Sequence, residues 1–363
     1  MFASLHNFFA RFERPISSFS LVGGFVFDAL TLKRVDTLWE NVWVVVHLLI
    51  VATCILLINR MDTTGDSEHD LSKSLFWMVN VLQFFFGGLL STYLVFYFRS
   101  SALSVSWPFI LILTLAFIAN ERFKRHYVRV GFQVSLFFLS LFSYTIIETP
   151  VVLHEMGAQI FIVSGAVALS IMFVFLYLLR LTSLRKFSQS SSVVFGGILG
   201  TFLVVNLLYF TNLIPPVPLA LKDAGIYHSI VRDDYGNYLV TAEDSDPWTD
   251  AFTLYDVVHQ GPSNPIYAYS AVFSPTAFNF TVIHDWQQYD EATHTWISRS
   301  QAELPVIGGR DGGYRTYSHQ MDVAEGKWRV NVETHTGAVI GRLYFMVVKT
   351  PAEPTVHTEI KSK

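Results

Sequence analysis

Apolar residues fall in long, nearly uncharged blocks over the first 214 positions, and alternate with polar residues in short runs after that. The blocks lie at roughly 15–32, 42–59, 75–98, 102–119, 128–147, 157–179 and 192–214. The last six are each long enough for a helix that crosses a hydrocarbon core of about 30 Å at 1.5 Å per residue. The first is short, holds Gly23 and Gly24 and contains Asp28, so a span, a re-entrant segment and an interfacial helix all fit it. Ahead of it, MFASLHNFFARFER lacks the continuous apolar region and small-residue site of a cleavable signal peptide. Pro215, Pro216 and Pro218 end the last block, since each lacks an N–H and disfavours the α region for its predecessor.

From about Gly225 the period shortens to two. The runs 266–273, 278–289, 293–304, 313–321, 327–335 and 338–348 are rich in β-branched and aromatic residues. Turn chemistry separates them, as in Ser274-Pro275, Asp290-Glu291, Gly308-Gly309, Glu325-Gly326 and Thr336-Gly337. Alternation places Trp328, Val330 and Val332 on one face of their strand and Arg329, Asn331 and Glu333 on the other. His284 and Trp286 alternate with the Phe280 and Val282 positions and are expected to be buried. Strands at this spacing, with one or two more among residues 226–258, fit an immunoglobulin-like sandwich. The expected fold is therefore a multi-pass α-helical membrane domain over residues 1–221, with about seven spans, followed by an all-β, immunoglobulin-like antiparallel sandwich over 222–350. The polar tail 351–363 is expected to be disordered.

Charge sharpens that division. Only 15% of residues are charged, against about a quarter in soluble proteins. Residues 1–222 carry a net +4 and residues 223–363 a net −8, which together make the −4 of the whole chain. The acidic half speaks against a nucleic-acid partner, whose phosphates need clustered cations. If the first block also spans, eleven basic residues near the membrane lie on one side, against Lys33, Arg34, Arg99 and Lys222 on the other. The positive-inside rule then places the amino terminus in the cytoplasm and the β-domain outside it. Six spans with an outside amino terminus is the competing count. Cys54 is the single cysteine, so no intrachain disulfide and no cysteine metal site can form.

Candidate chemistry is sparse. Asp28, Lys33, Arg34 and Asp36 make a charged cluster that fits an ion or proton site, or an interfacial group of paired charges. Asn80 and Gln83 share one helix face, and with His47, Gln133 and Asn206 fit either a polar path or hydrogen bonds between helices. Gly196 and Gly200 form a small-xxx-small face suited to close helix packing, within the chain or in a homo-oligomer. Glu148, His154 and Glu155 match no metal-ligand spacing, and no metal or other cofactor is expected. In the β-domain, Arg315, Tyr317 and Arg329 fit an exposed surface that binds a glycan or an anionic partner; cross-strand pairing is the competing role.

The segments GGFVFDALTLKRVD (23–36), HDW (284–286), GGRDGGYRTYS (308–318) and GKWRVNVETHTGAVIGRLYF (326–345) resemble those of bacterial inner-membrane proteins carrying a carboxyl-terminal domain of unknown function, family 2914. The resemblance covers the chain from about residue 265 and, more loosely, its whole length. It implies a membrane-tethered β-domain in a Gram-negative envelope, and brings no activity, substrate or catalytic residue. The leading expectation is a non-enzymatic envelope module, anchored in the inner bilayer, whose periplasmic domain binds an envelope protein or glycan. A small-solute or ion transporter with an accessory outer domain is the alternative, and a membrane-embedded enzyme is third.

Overall fold

The computed structural model describes residues 23–32, 37–61, 68–100, 102–122, 127, 129–244, 255–261, 264–275, 279–307, 313–351 and 354–361. The chain divides into two compact units, Met1–Arg99 with Trp107–Ile214, and Ser100–Ser106 with Pro215–Lys363. The division falls at the start of the proline cluster, between Ile214 and Pro215, seven residues ahead of the expected 221/222 boundary, and the first strand begins at Ala220.

The first unit is helical. Short α1 (residues 23–31) precedes α2 (Leu38–Met61), α3 (Glu68–Arg99), α4 (Leu103–Arg122), α5 (Val130–Leu153), α6 (Ala158–Thr182) and α7 (Leu184–Phe210). Five of these, α2, α3, α5, α6 and α7, are long and apolar enough to cross a membrane; α4 has a shorter apolar stretch, Ser104–Asn120. The expected seven crossings thus correspond to seven helices, of which five meet the length and composition of a span. Residues 15–22 of the first apolar block lie outside the described residues; the nine residues of α1 cover about 14 Å.

Helix α5 lies at the centre, with 72% of its apolar window buried, whereas α7 has 22% and turns most of its surface outward. Rings hold the centre together: Phe142 stacks on Phe202 and Phe138, and Phe161 stacks on Tyr209. Glycine lets α5 and α7 approach closely, but not through the expected pair. A Cβ at Gly197 would sit 2.0 Å from Ser135 Oγ, and one at Gly131 would sit 2.5 Å from Val193 Cγ1, while Gly196 and Gly200 have nothing within 4 Å. One residue of register decides which glycine faces the neighbouring helix.

Among the described residues, the second unit holds eleven strands in three sheets. They are β1 (Ala220–Tyr227), β2 (Ser229–Arg232), β3 (Tyr238–Glu243), β4 (Asp256–Gln260), β5 (Ile266–Phe273) and β6 (Asn279–Asp290). They continue as β7 (Thr295–Ile307), β8 (Tyr314–Gln320), β9 (Gly326–Thr334), β10 (Val339–Lys349) and β11 (Val356–Lys361). A five-stranded sheet runs β4-β10-β9-β6-β7 and a three-stranded sheet runs β1-β5-β8. Every pairing is antiparallel except β4 with β10. With β5 and β8 in one sheet and β6, β7, β9 and β10 in the other, the strand order is the Greek-key order of an immunoglobulin-like sandwich.

Its core is the alternation read from the sequence. Trp286, Trp328, Val330, Phe345 and Val347 from the five-stranded sheet meet Ile266 and Ala268 of β5. Trp286 is wholly buried and stands edge-on to Phe345 at 6.0 Å. His284 is buried beside it, where Nε2 meets Ser270 Oγ at 2.8 Å and Nδ1 meets Ser318 Oγ at 2.9 Å.

The third sheet, β11-β3-β2, packs on the outer face of β1-β5-β8 through Ile230, Val240, Tyr227, Tyr269 and Ala271. It also corrects the reading of the tail. Residues expected to be disordered form β11, which pairs with β3 from Val356↔Glu243 to Lys361↔Tyr238. This strand is held by its ladder and by ion pairs more than by apolar burial: His357 Nδ1–Asp244 2.8 Å and Lys361 Nζ–Asp223 3.3 Å.

Candidate functional site

The outward face of the five-stranded sheet carries the densest polar chemistry of the β-domain. Register sets its rows. Ser298, Gln287, Arg329 and Tyr344 lie opposite one another across β7, β6, β9 and β10; Gln301, Asp285, Asn331 and Arg342 form the next row. Trp296 and Tyr289 pair at one end, and Glu303, Ile283 and Glu333 lie at the other. A bulge in the β6–β7 pairing between Trp286 and Gln287 keeps Trp296, Ser298 and Gln301 on this face.

The face is floored by amides and a carboxylate and roofed by rings. β7 and β10 are three inter-strand steps apart, about 14 Å at the backbone. Yet the Trp296 and Tyr344 rings approach to 6.1 Å, so both side chains lean inward over the floor. Tyr289 adds to Trp296 at 5.2 Å, and Tyr255 to Tyr344 at 5.6 Å. The Arg329 guanidinium lies 4.4 Å from the Trp296 ring centre, close enough for a cation–π contact. Beneath this cover Asp285 and Asn331 are only 3% and 4% exposed, although their side chains point away from the core.

The floor anchors the cations. Arg329 Nε donates to Gln287 Oε1 at 2.7 Å, and Arg342 Nε donates to Asn331 Oδ1 at 2.7 Å. Arg342 Nη1 also donates to the Tyr344 hydroxyl at 3.2 Å. Ser298 Oγ donates to Asp285 Oδ1 at 2.5 Å, and Gln287 Nε2 donates to Asp285 Oδ2. Burial, then the carboxylate of Asp285, pushes Glu333 up to about 7. Burial, then the charge of Arg342, lowers the pKa of Arg329.

The three β-domain residues singled out from the sequence do not share a site. Arg329 belongs to the face just described. Arg315 and Tyr317 lie on β8, on the outward side of the other sheet, facing the layer that holds the β11-β3-β2 sheet. Tyr317 is 39% exposed and its ring stands 6.0 Å from Tyr238 and 6.1 Å from Tyr267. Asp285, Asn331, Glu333, Trp296 and Tyr344 were not chosen from the sequence. Alternation placed Asn331 and Glu333 beside Arg329, but Trp296 and Tyr344 come from strands whose register no local pattern specifies.

In the helical unit, Lys33, Arg34 and Asp36 lie outside the described residues. Asp28 is on α1, near whose carboxyl end Arg99 of α3 donates to the Ala29 carbonyl at 2.5 Å and to that of Leu32. Gln83 Nε2 donates to the Asn120 carbonyl at 3.0 Å, and Asn120 Nδ2 returns a bond to the Gln83 carbonyl at 3.2 Å. Asn80 sits one turn earlier on α3, partly buried. The Tyr127 hydroxyl donates to Asn120 Oδ1, and Gln133 Nε2 donates to the Tyr127 carbonyl. Asn59 Nδ2 donates to Gln133 Oε1 at 2.8 Å, and Ser183 Oγ to the Asn59 carbonyl at 3.0 Å. This polar belt ties helix to helix. Asn206 and His47 instead bond the carbonyls one turn back in their own helices.

A helical unit with helices of membrane-spanning composition, joined to an immunoglobulin-like β-domain, is the class these features define. Within it, residues 279–347, from β6 to most of β10, match a family described as protein of unknown function (DUF2914). The comparison with curated proteins gives no match. Among solved structures, the Pseudomonas fluorescens alkylpurine DNA glycosylase AlkC, bound to DNA containing an abasic site analog, aligns at 9% identity over 86% of this chain and 99% of its own. Its TM-score of 0.20 carries no argument about fold or function.

Proposed function

We propose that this chain is a membrane-anchored binding module of the bacterial envelope, with its helices in the inner membrane and its β-domain in the periplasm. The observation that carries this reading is the face of the five-stranded sheet, where two arginines are held by amide anchors beside a cluster of aromatic rings. Anchored donors lose less entropy when they engage a partner, which is how rigid recognition surfaces gain affinity. Arginine and the larger aromatics are also the residues that dominate binding energetics. The matched family segment contains this whole face apart from Tyr255. The eleven-to-four asymmetry of basic residues supports placing the domain outside the cytoplasm. Asn59, Gln83, Asn120, Gln133 and Asn206 engage one another or a helix backbone, which favours an anchoring role over a conduction path.

The test is crosslinking in intact cells expressing the full chain, with a photoreactive side chain at Ser298 and, as comparison, at Tyr235 in the turn between β2 and β3. A discrete envelope partner captured from Ser298 alone is the expected result. Capture only of cytoplasmic proteins, or identical capture from both positions, would refute the reading.

A further inference from the structure

We propose, resting on that binding-module reading, that the ligand of the five-stranded face is an acidic saccharide, a glycan whose carboxylates are taken by Arg329 and Arg342 beside the Trp296–Tyr289–Tyr344 rings.

Charge is the first argument. The domain from residue 223 carries ten basic and eighteen acidic residues, a sign that repels anions at long range. Three of those ten cations, Lys327, Arg329 and Arg342, nevertheless gather on neighbouring strands at one end of this face, and of these Lys327 is paired with Glu291 at 2.8 Å. Asp285 is covered and hydrogen-bonded by Ser298 and Gln287, so its charge is already engaged. An anion placed between the two guanidinia would neutralise like charges that the fold holds close together.

Geometry is the second. Each arginine is fixed through Nε, to Gln287 and to Asn331, and Arg342 Nη1 also donates to the Tyr344 hydroxyl at 3.2 Å, so a carboxylate would be taken by the remaining terminal N–H groups of the two guanidinia. A planar fork held in this way matches a carboxylate in two-point contact. The rings supply the apolar surface. Lys327 Nζ stands 5.3 Å from the Tyr289 ring centre, and Tyr289 meets Trp296 at 5.2 Å, so aromatic surface continues past the arginines to the β6–β7 hairpin. Sugar rings present apolar C–H faces and polar edges, and such a surface of rings beside fixed polar groups serves both. An acidic peptide would also satisfy the arginines, and the experiment separates the two.

Full-length protein in detergent is titrated with tetragalacturonic acid, with its neutral methyl ester and with hexaglutamate, by calorimetry. Tetragalacturonic acid is expected to bind, and the other two to bind at least tenfold more weakly. Arg329→Gln and Arg342→Gln should each weaken binding at least about tenfold, the loss of one charge-assisted hydrogen bond. Arg315→Gln, on the other sheet, should leave it unchanged. Thermal melting checks the fold of each variant. Arg342→Lys serves if a glutamine variant does not fold, since it keeps the charge and removes the fork; unchanged affinity there would contradict the carboxylate contact. No binding of tetragalacturonic acid, equal binding of its ester, or preference for hexaglutamate would overturn the saccharide. If Ser298 still captures an envelope protein in cells under any of those results, the binding module stands and only the ligand class falls.

Discussion

The Arg329 side chain stands on the solvent side of its strand, yet it is half-buried, bonded to Gln287 and laid over Trp296. Alternation alone makes it a surface residue whose truncation would cost within about 0.5 kcal/mol. With these contacts, Arg329→Ala is expected to cost about 1–3 kcal/mol, because it strips the cover from a buried amide and carboxylate. Chemical denaturation of the two proteins would measure it. Glu333, one row beyond Arg342, gives a signed prediction in pH. Its pKa is near 7 in the fold and near 4.5 when unfolded, so the native state holds the extra proton between these values. Stability is therefore full below about 4.5 and falls as pH rises through 7. Glu333→Gln should melt higher than the parent at pH 8 and nearly level with it at pH 4.5; an equal difference at both would disprove the assignment. His284 runs the other way. Burial lowers it to about 4, against an ordinary value of 6.5, so its contribution is complete above 6.5 and declines as pH falls towards 4. Glu333 acts in the opposite sense over much of the same range, so the parent is read against His284→Gln: the parent's advantage in melting temperature should shrink as pH falls across that window.

At the scale of elements, what the sequence showed and what it hid have separate physical causes. Trp328-Val330-Val332 could be assigned to the core because one buried face imposes a period of two, and the strand obeys it. The same rule exposed Arg329 and Asn331, but it could not show the rings that close over them. Trp296 and Tyr344 meet only because β7 and β10 flank the β6–β9 pair, a consequence of sheet order and not of any local signal. β11 was hidden for a related reason. VHTEIK has too little apolar character to announce a strand, and its stability comes from a ladder to β3 together with Lys361 and His357 pairs. Removing residues 355–363 is accordingly expected to unpair β3 on that side and loosen the β11-β3-β2 sheet, while the sandwich core remains. Hydrogen exchange should show faster exchange at Tyr238–Glu243 and unchanged protection at Trp328–Val332. Gly313 is a sharper case. Its φ of +86° lies in the left-handed region, and a Cβ there would lie 2.8 Å from the Ala271 carbonyl carbon, so Gly313→Ala should cost about 1–3 kcal/mol.

For the whole molecule, the proposed function depends on the orientation of the two units across the bilayer, and side-chain exposure decides which positions can report it. Ser274 lies at the end of β5 in the β-domain, but it is 1% exposed, so a cysteine there would resist labelling on either side of a membrane. Tyr235, at 85% exposure in the turn after β2, reports the position of the domain without that ambiguity. Ser188, exposed near the start of α7, reports the basic side, close to Arg180, Arg185 and Lys186. In a Cys54→Ser background, Tyr235→Cys should react with an impermeant maleimide in intact spheroplasts, and Ser188→Cys should react only after lysis. Cysteine at Ser4 then distinguishes the span counts: no reaction before lysis fits an odd number of crossings, and reaction before lysis fits an even number. The helices bear on this directly. Five of them are long enough to span on their own, so an outside β-domain and an inside amino terminus require either α1 and α4 both to cross or both to stay on one side. Labelling at Ser188 and not at Tyr235 in intact spheroplasts would invert the orientation, put the arginine face in the cytoplasm and remove the case for an envelope ligand.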